Sequence, residues 1–113
     1  MPSSKRLGSD AERRVRRHYR LRGYRILAAN WRGGGNELDL VARRGRRLVV
    51  CEVKARSGPG FGHPLEAIGP EKARRVRRAA ESFLASHPEC AGLEVVLEAA
   101  AVRGREIAMS RFG

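Results

Sequence analysis

The segment Leu48-Val49-Val50-Cys51-Glu52-Val53-Lys54 is the most apolar stretch of the chain, and it carries one carboxylate near its end. Its length and β-branched residues predict a strand, and its nearly continuous hydrophobicity predicts a central one covered on both faces. A strand buried on both sides needs a layer above and a layer below, so an α/β domain is the expected class. With 113 residues there is room for one domain, spanning 1–113.

The flanking sequence supplies the rest of that domain. Arg43-Arg44-Gly45-Arg46-Arg47 reads as a hairpin turn around Gly45, which pairs the central strand with a strand over Asn36–Ala42. Tyr24–Trp31 predicts another strand, separated from it by Arg32-Gly33-Gly34-Gly35. Ser9-Asp10-Ala11-Glu12 has the spacing of a capping box, which predicts a helix from Ser9 to about Arg22, stopped by Gly23. Residues 1–6 are expected to form a loose polar tail. Residues 55–69, rich in Gly and Pro, read as a loop with one helical turn near Leu65–Ile68. Pro70 suits the first position of a second helix running to about Ser86. Strands over Leu93–Val102 and Glu106–Phe112 close the chain. The resulting order, α-β-β-β-α-β with a last strand, predicts a mixed sheet with a helix on each face.

Charge narrows the partner. Lys+Arg number 24 against 12 Asp+Glu, a formal net charge of +12, and 21 of the cations are arginine. Arginine's planar fork suits phosphate, so the bias points to nucleic acid, although arginine-favouring codon usage produces the same count. On the first helix Arg13, Arg16, Arg17 and Arg20 fall on one arc, opposite Ala11, Val15 and Tyr19. On the second, Arg74, Arg77 and Arg78 lie opposite Ala73, Val76, Ala80, Phe83 and Leu84. No apolar run reaches the roughly 18 residues needed to span a bilayer, and no signal peptide is evident, so a cytoplasmic protein with no membrane partner is expected. Cys51 and Cys90 are too few for a disulfide framework or a cysteine zinc site, and Cys51 reads as a small core residue. His18, His63 and His87 lack ligand spacing, and Gly58-Pro59-Gly60-Phe61-Gly62 leads into no Gly-Lys-Ser/Thr. Tyr24 and Trp31 could stack on bases or simply fill the core.

The informative residues are acids inside strands. Alternation puts Glu37 and Asp39 on one face of their strand, and Glu52 with Lys54 on one face of the next. A carboxylate in Val-Val-Cys-Glu-Val loses hydration on folding, which is costly without a cation or hydrogen-bond donors. Each residue has a structural alternative: Glu52–Lys54 as a same-face ion pair, Glu37 and Asp39 as a solvent face, Glu12 as the capping acid. If the two strands pair through the 43–47 turn, Asp39 and Glu52 approach each other, and a divalent cation between them would offset their repulsion.

Gly35-Asn36-Glu37-Leu38-Asp39-Leu40-Val41-Ala42, followed by Val50-Cys51-Glu52-Val53-Lys54-Ala55-Arg56, resembles the YraN-like family of bacterial proteins. Gly8 with Glu12, Arg22–Leu27, Asn30-Trp31-Arg32, and Lys72 with Ala79-Ala80 extend the resemblance over most of the chain. Asn36 stands where a glycine is usual and Ala55 where a threonine is, and residues 97–104 match the family's ending only loosely. The family is similar in fold to restriction-endonuclease-like nucleases, including Holliday-junction resolvases. The resemblance thus implies a Mg²⁺- or Mn²⁺-dependent nuclease acting on structured or branched nucleic acid, with DNA the expected substrate. It makes Asp39 and Glu52 metal ligands, with the Val53 carbonyl, and Lys54 the catalytic lysine. It makes Glu12 the helix-one acid; in the mechanism that would follow, Glu12 holds a second metal, directly or through water, and Glu37 stands beside the ligands. A homodimer follows by analogy with the resolvases. The alternatives are a nucleic-acid-binding domain of the same fold that cleaves nothing, and a partner-binding or scaffold protein whose charge reflects codon usage.

Overall fold

The computed structural model describes residues 4–56 and 68–112. Helix α1 covers Ser4–Arg20 and is followed by strands β1 (Arg25–Gly33), β2 (Asn36–Arg44) and β3 (Arg47–Ala55). Helix α2 (Pro70–Ser86) and a short 3₁₀ turn (Pro88–Cys90) lead to β4 (Glu94–Arg103) and β5 (Glu106–Phe112). The strands lie side by side in chain order, β1-β2-β3-β4-β5. All neighbours are antiparallel except β3 and β4, which run parallel and are joined through α2. This is the α/β class, mixed sheet and pair of flanking helices that the sequence predicts.

Strand β3 is central because both of its faces are needed. Val49 and Cys51 point into the core under α1, where they meet Ala11, Val15, Tyr19 and Ala100. Leu48 and Val50 point the other way, into the core under α2, with Val76, Ala79, Phe83 and Leu97. Period-two alternation thus feeds two separate cores from one strand. The two cysteines are free and buried, one in each core. Trp31 packs edge-on against Phe83, with ring centroids 5.4 Å apart, so it belongs to the core rather than to a base-stacking platform.

Two features at the chain's start differ from expectation. Helix α1 begins at Ser4, so residues 4–6 extend it and are not tail. Lys5, Arg6 and Leu7 are good helix formers that carry the helix back through Ser9, and the capping-box reading fails for that reason. Asp10 instead pairs with Arg13 at 2.7 Å, and Glu12 accepts a tertiary bond from the side chain of Asn30. The other end behaves as predicted: Gly23, at φ 84°, allows the Tyr24 and Gly23 amides to close on the Tyr19 and Arg20 carbonyls. The helical turn expected near Leu65–Ile68, like most of the 55–69 loop, lies outside the described residues.

Candidate functional site

From Arg44↔Arg47 to Leu40↔Cys51 the β2–β3 ladder is regular, and there it stops. Continued, it would oppose Leu38 to Val53. Instead side chains take over the bonding. The Asp39 amide donates to Glu52 Oε2 at 3.3 Å, and the Val53 amide donates to Asp39 Oδ2 at 2.8 Å. Each carboxylate therefore stands in for a backbone carbonyl of its own strand, accepting from an amide of the opposite one.

The cause lies on the other edge of β2. There the strand stays paired with β1 through Trp31↔Leu38, Arg32↔Glu37 and Gly33↔Asn36, and β1 itself carries an irregularity between Ile26 and Ala28. Following β1, the first half of β2 turns away from β3. Leu38 consequently enters the core under α2 while Leu40 enters the core under α1, although strict alternation would put both on one face. Asp39 sits at that reversal.

The opened end forms a cavity of about 360 Å³. Asp39 and Glu52 are its floor, Glu37 with Gly35 and Asn36 its rim, and Lys72, Arg75 and Val76 of α2 its wall. Glu52 is the single charged residue buried in the core, 7% exposed, among the described residues. Burial, and then the neighbouring Asp39 carboxylate, push its pKa up to about 7, against the opposing pull of the Asp39 amide and Lys72. Asp39 is raised as well, chiefly by burial, while the bond from Val53 pulls it down and Glu12 pushes it up. The ion partner of Glu52 is Lys72, with Nζ 3.9 Å from Oε1.

The expected residues thus divide into groups. Asp39 and Glu52 are brought together, and Glu37 lies at the same mouth, exposed and paired with Arg32 at 3.3 Å. Glu12 is outside the cavity lining; its Oε2 accepts a 3.2 Å bond from the side chain of Asn30, a residue in the left-handed region at φ 52°. It acts on the site through its charge on Asp39. Lys54 is exposed and does not line the cavity. Val53, whose amide faces Asp39, directs its carbonyl to the same edge, as an extended strand requires, where no β2 ladder partner meets it.

Lys72 and Arg75 are the site residues that the charge arcs missed. Their signal was available as spacing: Lys72, Arg75, Val76 and Ala79 share one helical face, and Val76 and Ala79 are buried. Arg13, Arg17 and Arg20 on α1 are exposed and Arg16 is half-buried, while Arg74, Arg77 and Arg78 are exposed on α2. Cys51 is wholly buried beneath Tyr19, whose hydroxyl donates to Glu98 at 2.8 Å.

Among the described residues no three Asp, Glu, His or Cys side chains converge as a ready metal cluster. Two carboxylates and a carbonyl are nevertheless a hard oxygen set of the kind that suits Mg²⁺ or Mn²⁺, ions commonly bound by one or two carboxylates with water completing the shell.

A mixed five-stranded sheet with carboxylates at the opened end of its central hairpin defines the class: a small α/β domain with a carboxylate pocket in a chain of formal net charge +12. The chain belongs to the YraN-like proteins; residues 11–107 match the model of the uncharacterised protein family UPF0102. It is 51% identical over 81 residues to a UPF0102 protein of Acidothermus cellulolyticus, covering 72% of this chain and 61% of that one. It is 42% identical over 97 residues to a UPF0102 protein of Dinoroseobacter shibae, covering 86% and 71%. A UPF0102 protein of Synechococcus sp. is 41% identical over 104 residues, covering 91% and 79%. The chain thus spans about three fifths of the length of the Acidothermus relative. No described helix is long and apolar enough to cross a membrane.

Proposed function

We propose that this chain is a Mg²⁺- or Mn²⁺-dependent nuclease that hydrolyses phosphodiesters in structured or branched nucleic acid, DNA in the first instance, in the cytoplasm. One observation carries the reading: Asp39 and Glu52 face the same cavity at the opened end of β2 and β3, Glu52 buried in the core, despite the cost of placing two carboxylates together. Such an arrangement is stabilised by a cation, and the surrounding surface attracts a polyanion.

Asp39 and Glu52, with the Val53 carbonyl, would hold the ion. When bound, it supplies charge neutralisation on the phosphate and a more acidic water. Each carboxylate is oriented by the bond it accepts from the opposite strand, so the pair is preorganised before substrate arrives. Glu37 holds the rim beside Arg32. Glu12, whose Oε2 accepts from Asn30, would hold a second ion directly or through water. The exposed arginines of α1 and α2 lie on opposite faces of the domain, and each row would contact backbone phosphates without reading bases, which favours recognition of shape over sequence. A homodimer remains part of this reading by analogy with resolvases.

A second reading, a nucleic-acid-binding domain that does not cleave, is favoured by the place of Lys54, exposed and away from the cavity lining. Incubation with branched, flapped, single-stranded and duplex substrates, with Mn²⁺ or with chelator, separates the two. Cleavage that needs Mn²⁺ and disappears in Asp39→Asn is the expected result. Binding without cleavage of any substrate would leave the second reading. The binding itself should weaken linearly in log affinity against log salt, by about 0.9 per neutralised phosphate on duplex DNA. Neutralising Arg16 and Arg17 should lower that slope for all sequences alike, and salt-independent affinity would refute both readings.

A further inference from the structure

We propose that Lys72 is a built-in counter-ion that exchanges with the divalent cation and is thereby released to bind a phosphate of the incoming nucleic acid. The inference rests on the metal-site reading above and adds a coupling between metal and polyanion that the reading alone does not contain.

The two oxygens of Glu52 have different partners. Oε2 accepts from the Asp39 amide, while Oε1 faces the Lys72 ammonium at 3.9 Å. That distance is too long for a hydrogen bond, so the contact is a charge pair without a fixed geometry. The lysine side chain is 38% exposed against 8% for the glutamate, so its head already reaches solvent at the cavity mouth. A divalent ion binding Oε1 would compete with Lys72 for the same oxygen, and the flexible four-carbon stem allows the lysine to swing outward.

The position of Lys72 in its helix argues that it is not there to stabilise α2. It is the third residue after Gly69, in a first turn where the helix dipole disfavours a cation, and Gly69 makes no side-chain cap bond. Arg75 follows one turn later on the same wall of the cavity. Once Glu52 is occupied by metal, the cavity wall therefore presents two cations, Lys72 and Arg75, that favour an anion.

The test uses the whole chain in two measurements: Mn²⁺ titration by calorimetry without nucleic acid, and binding of a fluorescent duplex DNA over a salt series with Mn²⁺ or chelator. Wild type is expected to bind Mn²⁺ and to bind DNA more tightly when it does. Lys72→Met should bind Mn²⁺ about two- to fivefold more tightly, the range that a partly exposed ion pair can contribute. In Mn²⁺ its log–log salt slope for DNA should be smaller than wild type by about 0.9, one phosphate, with equal slopes in chelator. Lys72→Arg, which keeps the charge, should restore the wild-type slope. Weaker Mn²⁺ binding in Lys72→Met, or an unchanged slope in Mn²⁺, would overturn the exchange while leaving the metal site standing. A wild type that binds no Mn²⁺ would overturn both.

Discussion

The β2–β3 hairpin has two ends built on opposite principles. At the turn, around Gly45, backbone pairs with backbone through Arg44↔Arg47 and Arg43↔Leu48; Arg44 and Arg46 are cations in solvent, Arg43 and Arg47 are half-buried, and Leu48 already enters the core under α2. Arg43 closes the turn by donating to the Gly45 carbonyl at 2.9 Å, and Arg47 reaches across to Glu94 at 2.9 Å. At the far end the ladder has ended, carboxylates bond the amides of the neighbouring strand, and one of those carboxylates is buried. The first arrangement satisfies local rules. The second keeps two acids where hydration is poor, which is the kind of local conflict that functional sites preserve.

The difference should be largest as a function of pH. Glu52 has its folded-state pKa raised to about 7 from an ordinary 4.5. A carboxyl shifted in this direction contributes stability that is fully present below the unfolded value and is lost as pH rises through the folded one. At about 1.4 kcal/mol per unit, the loss is on the order of 3 kcal/mol between pH 4.5 and pH 8. Urea unfolding of wild type and Glu52→Gln across that range should show near-equal stability at the acid end and a more stable mutant above pH 7. Parallel profiles would mean that Glu52 is not the strained group.

Metal should reverse the sign at the same place. With Mn²⁺ at a hundredfold excess over Kd, the folded state gains about 2.7 kcal/mol, seen as a raised melting temperature. Glu52→Gln should lose that gain, and a mutant that kept the full shift would put the ion elsewhere. Changes at the turn end should be smaller and indifferent to both variables. Gly45 holds φ 58° with open space around its missing Cβ, so Gly45→Ala costs only the left-handed backbone, about 1–2 kcal/mol. Equal costs at pH 5 and pH 8, and with or without Mn²⁺, would sharpen the contrast. The smallest effect belongs to Lys54: exposed and outside the cavity, it should change stability by no more than about 0.5 kcal/mol on Lys54→Ala, and leave Mn²⁺ affinity unchanged. A large loss of Mn²⁺ affinity there would return Lys54 to the site.

The sequence by itself determined the elements and the central place of β3, because periodicity, Gly23, Gly45 and Pro70 act locally, within a turn of helix or a hairpin. It also determined that Asp39 and Glu52 would meet, since one short hairpin turn sets the register that brings 39 opposite 52. Tertiary structure decided the rest of the pocket. Alternation read Glu52 with Lys54, but the cation beside Glu52 came from Lys72, twenty residues on and delivered by the packing of α2 on the sheet. Glu12 read as a cap because four residues fit a motif, while the helix continued past it and Asn30 of β1 took its carboxylate. Nor could strand period alone place Leu38 and Leu40 in different cores, since that reversal arises where β2 must follow β1 and leave β3. Local patterns specify what each segment becomes, whereas the charge partners of buried acids depend on which distant segments pack beside them, a choice made by the whole core at once.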